Sequence, residues 1–449
     1  GEIDVIIGPR SALFTPFPSL GLIVMDEEQE NSYKSESTPK YHARETALEV
    51  AKLYGASVVL GSATPSLEAY YRAGKGEYRM FQLTRRLTGG ELPTVYTVDL
   101  RQELQEGNRS IFSRKLQELM ADRLNKGQQT ILFLNRRGYA GFVSCRSCGE
   151  VMKCPHCDVS LSEHKGGRLI CHYCGYTQPM PKLCPKCGSK YILGFKAGTQ
   201  QIEEKLKELY PGVRTLRMDA DTTRTKDSYE KILSSFANGE ADVLIGTQMI
   251  VKGHDFPKVT LVGILAADLS LNASDYRAGE RTFQLLTQAV GRAGRGALPG
   301  EAVIQTYQPD HYAITCAAAQ DYENFYQEEI LYRELSGYPP VAHMLAVQIY
   351  GKEEENAKQL ALRLTDVVKS NMDFLSGKQK EQSNKKIQVL GPAPANISKI
   401  NDIYRYVFYV KHAEYDVLVE VKDRLEETLR QWQPRQMSIQ FDFDPVSVL

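Results

Sequence analysis

The sequence lacks the features that mark membrane, secreted and strongly charged proteins. No apolar run approaches the roughly 18–20 residues of a membrane span, and the N-terminus has no charged-then-apolar signal segment. Lysine plus arginine equals aspartate plus glutamate, 55 against 55, so bulk charge neither indicates nor excludes a nucleic-acid partner. We therefore expect a cytoplasmic protein with no membrane partner, and its length of 449 residues predicts about three domains.

A second absence concerns nucleotide chemistry. The segment GLIVMDEEQE (21–30) is an apolar strand that ends in acidic and amide side chains, an arrangement in which one carboxylate holds Mg²⁺ and the next polarises a water. Such a strand end works with a phosphate-binding loop, G-x-x-x-x-G-K followed by Ser or Thr, and the 449 residues contain no such motif. Taken alone, the segment is better explained as an acidic turn after a hydrophobic strand.

Cysteines are concentrated in one short region. Eight of the nine occur as four C-x-x-C pairs between Cys145 and Cys187, and eight thiolates can form two tetrahedral Zn²⁺ sites. The spacing leaves open which pairs share a metal. Without a secretion signal the pattern favours metal over disulfides, and a redox role is the alternative. Between 136 and 196 ten Lys and Arg stand against three Asp and Glu, so a basic zinc region suits contact with DNA backbone or a partner protein.

The N-terminal segment alternates strand and helix patterns. EIDVIIG (2–8), GLIVMDE (21–27) and SVVLG (57–61) are β-type runs, and ARETALEVAKLYG (43–55) is an amphipathic helix with a glycine stop. GSATPS (61–66) follows the last of these strands, where small residues and hydroxyls allow close backbone approach. A plain turn is the alternative for that motif.

A second α/β block begins near Val95, is interrupted by the cysteine region and resumes at Gly198. Within it, QAVGRAGR (288–295) is predicted to be helical, which would place Gln288, Arg292 and Arg295 on one face. Guanidiniums fixed beside glycines suit the clamping of phosphoryl charge. A solvated basic helix end would explain the arginines but not glycines inside a helix, each costing about 1 kcal/mol.

Two further segments suit contact with phosphates. IGTQMIVKGHDF (245–256) ends a predicted strand with hydroxyl, amide and charged groups. In the C-terminal block, which starts at Ser336, the strand YRYVFYVK (404–411) interleaves aromatic and basic residues, and a polar stretch at 376–386 is predicted to be a mobile loop. An amphipathic edge strand with aromatics inward and charge outward explains the C-terminal pattern equally well.

Together these motifs resemble the superfamily 2 helicase motor, in which ATP is closed between two RecA-like lobes. The resemblance narrows to the bacterial primosomal replication-restart helicases and runs across essentially the whole chain. Besides the eight-cysteine insertion, the segments that carry it are GPRSALFTPF (8–17), DEEQENSYKSESTPKYHARETA (26–47), GSATPSLE (61–68), FLNRRGYA (133–140), GTQMIVKGHDFP (246–257) and SDYRAGERTFQLLTQAVGRAGR (274–295).

The resemblance implies roles in ATP hydrolysis. Asp26 would hold Mg²⁺ through water, Glu27 would be the general base, and Arg292 and Arg295 would bind the γ-phosphate. Gln29 stands where the family usually has His, which leaves the strength of coupling open. The residues to which the resemblance gives nucleotide-binding or coupling roles are Gln29, Ser62, Thr64, Asp255 and Gln288.

The resemblance also implies metal and DNA contacts. It joins the outer cysteine pairs around one zinc (Cys145, Cys148, Cys184, Cys187) and the inner pairs around the other (Cys154, Cys157, Cys171, Cys174). The residues that it places against DNA are Arg10, Tyr33, Tyr41, Thr247, Gln248, Lys252, Lys399 and Arg405. For the two tyrosines, simple packing is the alternative.

We therefore expect an α/β protein with tandem RecA-like helicase lobes, the first incomplete, a two-zinc insertion of eight cysteines in the second lobe and a C-terminal α+β domain. The expected domains are 1–90 for the remainder of the first lobe, 91–140 with 196–335 for the second lobe, 141–195 for the zinc-binding insertion and 336–449 for a DNA-binding domain.

The resemblance implies an ATP-dependent 3′–5′ DNA helicase that recognises stalled forks and promotes reloading of the replicative helicase. Its partners would be forked and single-stranded DNA, single-strand-binding protein and primosome helicase-loader proteins, with Zn²⁺ and Mg²⁺ as cofactors and ATP as substrate. Lacking the phosphate-binding loop, this chain is expected to be inactive alone. A motor-dead zinc-containing DNA-binding scaffold is the alternative, whereas a zinc-ribbon transcription or translation factor does not explain QAVGRAGR.

Overall fold

The fold is known from a computed structural model. The residues that it describes are 3–83, 92–134, 143–156, 159–164, 167–171, 174–193, 198–219, 222–223, 226–247, 250, 256–273, 275–296, 298–370 and 386–446. The predicted loop at 376–386, except Lys386, and most of FLNRRGYA lie outside these ranges. The described helices include none with the length and hydropathy of a membrane span.

The chain divides into two compact units. The first unit contains Gly1–Met80, Tyr173–Gly175 and Ile330–Leu449, and the second contains Phe81–His172 and Tyr176–Glu329. The N-terminal and C-terminal segments, which the sequence assigns to different domains, thus belong to one unit.

Strands account for the sheets of both units. In chain order they are β1 (Leu22–Met25), β2 (Ser57–Leu60), β3 (Thr94–Asp99), β4 (Gln129–Leu134), β5 (Ser144–Cys145), β6 (Ser162–His164), β7 (Arg168–Ile170), β8 (Thr177–Pro179), β9 (Ile192–Leu193), β10 (Thr215–Met218), β11 (Val243–Gly246), β12 (Val259–Leu265), β13 (Glu301–Thr306), β14 (His343–Gly351), β15 (Gln388–Ile400), β16 (Ile403–His412) and β17 (Met437–Phe443).

Helices connect most of these strands. The described α-helices are α1 (Ala43–Tyr54), α2 (Leu67–Gly74), α3 (Leu100–Gln105), α4 (Arg114–Asn125), α5 (Thr199–Leu209), α6 (Lys226–Ala237), α7 (Asp268–Leu271), α8 (Ala278–Val290), α9 (Tyr312–Ala319), α10 (Tyr322–Ser336), α11 (Glu354–Ser370) and α12 (Tyr415–Trp432).

The N-terminal part of the first unit is a small α/β layer. Strands β1 and β2 pair in parallel, with Met25 opposite Leu60, and α1 packs Ala43 and Ala47 against Met25. The predicted strands GLIVMDE and SVVLG and the helix at 43–55 are confirmed. The prediction of a strand over EIDVIIG is wrong, because the described residues 3–8 join no ladder and Ile7 is 95% exposed.

The C-terminal part of the first unit has the β-α-β-β-α-β order of the ferredoxin-like fold. Its antiparallel sheet has the strand order β15-β16-β14-β17, and α11 and α12 cover one face, where Leu345, Val347 and Phe408 are buried. Sequence patterning missed β15, which contains Pro392 and Pro394. The two prolines are tolerated because β15 is an edge strand, where a missing N–H donor breaks no inner ladder.

The second unit is built on a six-stranded parallel sheet of order β10-β11-β4-β12-β13-β3. Every residue of β4, β11 and β12 is buried, as expected for parallel strands covered by helices on both faces. One face packs on α4 and α5 through Leu116 and Ile202, and the other packs on α8 and α9 through Phe283 and Ile314. This is the RecA-like architecture predicted for the second lobe.

The cysteine region follows β4 in the chain and forms small antiparallel pieces. Strand β5 pairs with β9, and β6, β7 and β8 form a three-stranded sheet. The cysteines lie mainly in the tight turns next to these strands, so short hairpins carry the thiols.

Candidate nucleotide and metal sites

The acidic turn after β1 has an unusual backbone. Glu27 has φ of +48°, a left-handed conformation that non-glycine residues adopt at a cost and that is concentrated at functional sites. The Glu27 N–H donates to Asp26 Oδ1 at 3.0 Å. Asp26 and Glu27 are both exposed, so the turn presents two carboxylates at the carboxyl end of a parallel strand, where α/β proteins bind ligands.

Gln29 joins this turn to GSATPS. Its Nε2 donates to Glu27 Oε2 at 2.6 Å, and its Oε1 accepts from Ser62 Oγ at 2.5 Å. Ser62 Oγ in turn accepts from the Thr64 N–H at 3.0 Å. The structure therefore brings four of the predicted ATP-site residues into one hydrogen-bonded chain. We call it the Glu27–Thr64 relay.

Thr64 ends the relay in a buried position. The residue is 1% exposed, and its Oγ1 has no hydrogen-bond partner among the described residues. Buried unsatisfied hydroxyls are uncommon in native proteins. The relay therefore ends at a buried hydroxyl that is unsatisfied among the described residues.

Glu28, which sequence reasoning did not single out, anchors the turn. It is 2% exposed and accepts from the Ser66 N–H at 2.6 Å and from Arg44 Nη1 at 3.1 Å. Burial alone would lower the pKa of Arg44, but the carboxylates of Glu68, Glu45 and Glu28 raise it. The third acidic residue of the strand end is thus part of a structural ion pair. Its signal in the sequence was an arginine on the same helical face as Ala47 and Ala51.

Three predicted DNA contacts lie on the segment between β1 and α1 or beside it. Tyr33 donates its hydroxyl to Asp26 O at 2.7 Å, and burial, followed by the charge of Asp26, raises the Tyr33 pKa. The Tyr41 ring meets Phe14 edge-on with centroids 5.1 Å apart. Arg10 Nη1 donates to Ser32 O at 2.7 Å and to Lys34 O at 2.9 Å. All three side chains help to hold this segment in place, and for the two tyrosines this is the packing role that the sequence left open.

The arginine motif in the second unit is a turn and not a helix. Helix α8 ends at Val290, Gly294 has φ of +68°, and a Cβ on Gly294 would collide with the backbone of Gly300. The prediction that Gln288, Arg292 and Arg295 share a helical face is therefore wrong. Gly294 is needed for this close backbone approach and for its positive φ, not for open space on a helix.

The turn still presents its arginines near the end of a helix. Gln288 lies in the last turn of α8, Arg295 is exposed, and Arg295 Nε donates to Gly291 O at 2.9 Å. The Gly294 N–H donates to Val259 O at 3.0 Å, which fastens the turn to the start of β12. The guanidiniums are therefore carried by a turn that is tied to the parallel sheet.

Of the predicted residues after β11, the structure describes Thr247. Thr247 follows β11 directly, and its N–H approaches Met218 O at 3.4 Å. The predicted residues that lie outside the described ranges are Gln248, Lys252, Asp255 and Cys157.

Four cysteines converge at the outer metal site. The sulfur atoms of Cys145, Cys148, Cys184 and Cys187 lie within 4.8 Å of one another, and the Cys145–Cys187 and Cys148–Cys184 sulfurs are each 3.6 Å apart. Zn–S bonds of about 2.3 Å place tetrahedral sulfurs roughly 3.8 Å apart, whereas disulfide sulfurs are bonded at about 2.05 Å. The four thiols therefore fit a Zn²⁺ ion and not two disulfides.

The inner site is similar. Cys154, Cys171 and Cys174 have sulfur atoms within 4.8 Å of one another. Among the described cysteines, both clusters join the pairs that the resemblance implied, outer with outer and inner with inner.

Glycines after the second cysteine shape these turns. Gly149, Gly175 and Gly188 each follow a C-x-x-C pair and have positive φ, at +78°, +78° and +70°. The Gly149 and Gly188 N–H groups donate back to Cys145 O and Cys184 O at 2.8 and 2.9 Å. The extended pattern C-x-x-C-G was the sequence signal for metal-binding turns, and counting cysteines alone misses it.

The first turn is docked on the parallel sheet. A Cβ on Gly149 would lie 2.5 Å from the Tyr307 carbonyl oxygen, just past the end of β13. Arg101, held by Asp99 at 2.6 Å, approaches Cys148 O at 3.5 Å. The cysteine region is thus attached to the RecA-like sheet by backbone packing.

The predicted C-terminal contacts differ in character. Lys399 pairs with Asp402 at 2.8 Å on an exposed turn and lies 4.8 Å from the Tyr404 ring centroid. Arg405 lies over the Tyr350 ring at 5.6 Å. Lys411 is 5% exposed and donates to Ser336 O. Lys399 keeps an accessible charge, whereas Lys411 serves packing.

Fold and sites together define an α/β protein of the helicase class, with a RecA-like sheet, a cysteine-rich insertion and a C-terminal α+β domain. Residues 183–297 match the helicase conserved C-terminal domain, 154–179 the PriA DNA helicase Cys-rich region domain, and 334–446 the primosomal protein N C-terminal domain.

Sequence comparison with known proteins identifies the family within the helicase class. The chain is 45% identical over 450 residues to the replication restart protein PriA of Bacillus subtilis (strain 168), an alignment that covers 100% of this chain and 54% of that protein. For the Synechocystis protein of the same name the values are 42%, 100% and 53%, and for that of Borreliella burgdorferi 34%, 100% and 65%. The chain belongs to the PriA family of replication restart proteins. It spans about half the length of the first of these relatives.

Solved structures are more distant. S. cerevisiae Dbp5 bound to RNA and ADP BeF3 aligns over 70% of this chain and 63% of that one at 13% identity, with a TM-score of 0.35.

Proposed function

We propose that this chain forms part of an ATP-dependent DNA helicase that acts in replication restart, unwinds DNA in the 3′–5′ direction and recognises stalled or abandoned forks. Its task there is to promote reloading of the replicative helicase. The Glu27–Thr64 relay carries this proposal, because it links the carboxylate after β1 to the GSATPS turn after β2. Both lie at the carboxyl ends of parallel strands, where α/β proteins bind nucleotides. The names of the curated relatives support the restart role.

The relay suits a base that must respond to nucleotide. Glu27 accepts the proton of the attacking water, while Gln29 fixes the orientation of its carboxylate. Because Ser62 and Thr64 share the same chain of hydrogen bonds, a change at Glu27 alters the GSATPS turn. Asp26 would hold Mg²⁺, which would neutralise phosphate charge when bound. Arg292 and Arg295 bind the γ-phosphate, supported by Gln288.

The roles proposed for zinc, DNA and protein partners follow from the same family resemblance. The eight cysteines would hold two Zn²⁺ ions per chain, which would stabilise the fold of the cysteine turns and take no part in a reaction. Forked and single-stranded DNA, single-strand-binding protein and helicase-loader proteins are the proposed partners, in the cytoplasm. For DNA we propose Lys399 as a phosphate contact, since its ammonium is accessible.

A second candidate function has a specific observation in its favour. The 449 residues contain no phosphate-binding loop, so nothing in them supplies the backbone cradle and lysine that hold the β- and γ-phosphates. On its own, this chain acts as a zinc-containing DNA-binding scaffold without motor activity.

The deciding experiment compares two proteins. A longer protein that carries the phosphate-binding loop should hydrolyse ATP in response to DNA, and Glu27→Gln should abolish turnover without weakening DNA binding. Glu49→Gln, at an exposed position of α1, is the matched control and should retain activity. Turnover that survives Glu27→Gln would remove Glu27 from the proposed mechanism.

A further inference from the structure

Two lysines of the segment between β1 and α1 are buried against the C-terminal sheet, within the first unit. Lys34 Nζ lies 2.8 Å from Asp442 Oδ1 and donates to Phe443 O at 2.7 Å. Lys34 is 7% exposed and Asp442 8%. An ion pair this deeply buried is costly unless it is well paired, and removing one partner leaves an uncompensated charge.

Lys40 approaches the same carboxylate, that of Asp442. Its Nζ donates to Gln348 Oε1 at 2.9 Å and lies 3.8 Å from Asp442 Oδ2. Burial lowers the pKa of Lys40, and the charge of Asp442 opposes that shift. One carboxylate thus faces two ammonium groups from a single chain segment.

These partners lie on the face of the C-terminal sheet opposite α11 and α12. Leu345, Val347 and Ile349 of β14 pack under the helices, whereas the alternate residues Ala346 and Gln348 point the other way. Ala346 and Gln348 are nonetheless 1% and 7% exposed. The second face of the sheet is therefore covered, and Lys34 and Lys40 are part of its cover.

The same segment is tied at its start to the acidic turn. Tyr33, adjacent to Lys34, donates its hydroxyl to Asp26 O, and its N–H donates to Glu30 O at 3.0 Å. The Glu30 N–H donates to Glu27 O at 2.9 Å. Lys34 is thus joined, through the peptide bond to its neighbour Tyr33, to hydrogen bonds that reach the backbone of Asp26 and Glu27.

We propose that Lys34, Lys40 and Asp442 form a latch through which the C-terminal sheet holds the backbone of the acidic turn. Lys34 and Asp442 are positioning residues: they touch neither of the two exposed carboxylates but set the conformation of the chain that carries them. The consequence for ATP turnover rests on the proposed function, whereas the latch itself does not.

Hydrogen exchange of the intact chain tests the latch directly. Lys34→Met keeps the length of the side chain and removes its charge, and it should speed amide exchange over residues 26–35 by about tenfold. Lys52→Met is the matched control, because Lys52 forms an exposed ion pair with Glu49 in the same unit, and it should leave exchange unchanged. Unchanged protection of residues 26–35 in Lys34→Met, or an equal increase in Lys52→Met, would overturn the proposal.

A double variant guards against general unfolding. If Lys34 and Asp442 act through one another, Lys34→Met combined with Asp442→Asn should increase exchange no more than about twofold beyond the larger single effect. Effects that multiply would show independent packing roles and contradict the latch.

A longer protein with the phosphate-binding loop supplies the second readout. There Lys34→Met should lower kcat severalfold with little change in the KM for ATP, because the acidic turn is misplaced and not removed. If the wild-type longer protein has no ATPase activity, the proposed function is wrong. The hydrogen-exchange result would still show whether the latch exists.

Discussion

At the residue scale, two histidines act as helix N-caps, a role that serine or aspartate usually fills. His42 Nδ1 accepts from the Arg44 N–H at the start of α1, and His311 Nδ1 accepts from the Ala313 N–H at the start of α9, both at 3.2 Å. Only a ring nitrogen without a proton can accept this hydrogen bond, which requires the neutral imidazole. Burial lowers the pKa of His42 to about 3 and that of His311 to about 4, so both caps persist well below neutral pH.

The His42 cap predicts acid sensitivity of the first unit. Between pH 6.5 and 3 the unfolded state binds a proton at His42 that the folded state does not, so stability is full above about 6.5 and falls with decreasing pH by up to about 1.4 kcal/mol per unit. His42→Asn keeps a side-chain cap acceptor and should flatten this part of the curve. Urea unfolding between pH 7 and 4 measures it, and identical slopes in both proteins would contradict the assignment.

Gln29 is the residue on which the relay depends. Gln29→Ala should lower kcat of a phosphate-loop-containing protein roughly 10–100-fold, because Glu27 loses the group that orients it, while DNA affinity stays constant. Gln29→His would show whether an imidazole restores the link to Ser62. Steady-state kinetics at saturating DNA provide the measurement, and wild-type kcat in Gln29→Ala would exclude the relay from catalysis.

At the element scale, prediction succeeded where burial alone decides secondary structure. The α/β block predicted from near Val95 is confirmed, because the central strands of its sheet are mainly apolar and buried on both faces, a pattern that is visible in the sequence. Prediction failed at QAVGRAGR because a helical spacing was judged without knowing that Gly300 would occupy the space beside Gly294. It also missed the Glu28–Arg44 pair, since partners 16 residues apart meet only after β1 and α1 have packed.

The cysteine turns lead to a prediction of metal content. Metal analysis of the purified chain should give about two zinc per chain, and Cys184→Ser should reduce this to about one, because Cys184 belongs only to the outer cluster. Cys316 lies outside both described clusters, so Cys316→Ser is the control and should keep the full content. Zinc near zero in unchelated wild-type protein would contradict the metal assignment.

At the scale of the whole molecule, the division into units departs from the linear domain order. The N-terminal α/β layer and the C-terminal domain are distant in sequence but share buried ion pairs. No periodicity or motif in the sequence predicts such a pairing, because lysine and aspartate usually lie on the protein surface. Domain grouping was therefore the part of the fold least accessible to prediction.

The chain alone, with its 449 residues, should show no measurable DNA-stimulated ATPase. The reason is the missing phosphate-binding loop, without which the carboxylates of the acidic turn have no fixed substrate. A coupled ATPase assay with single-stranded DNA measures this. Robust turnover that disappears in Glu27→Gln would show that the chain binds the β- and γ-phosphates by another route.

The prolines of β15 have a consequence for behaviour in concentrated solution. An exposed edge strand offers free N–H and C=O groups to any passing chain and can start intermolecular sheet growth. Pro392 and Pro394 lack N–H donors, and the pairing of β15 with β16 is irregular between Leu390 and Ala393. The turn at Gly175 lies against the same stretch, close to the Pro392 carbonyl. We expect replacement of both prolines by valine to restore donors to this edge and to increase intermolecular association, as light scattering would measure.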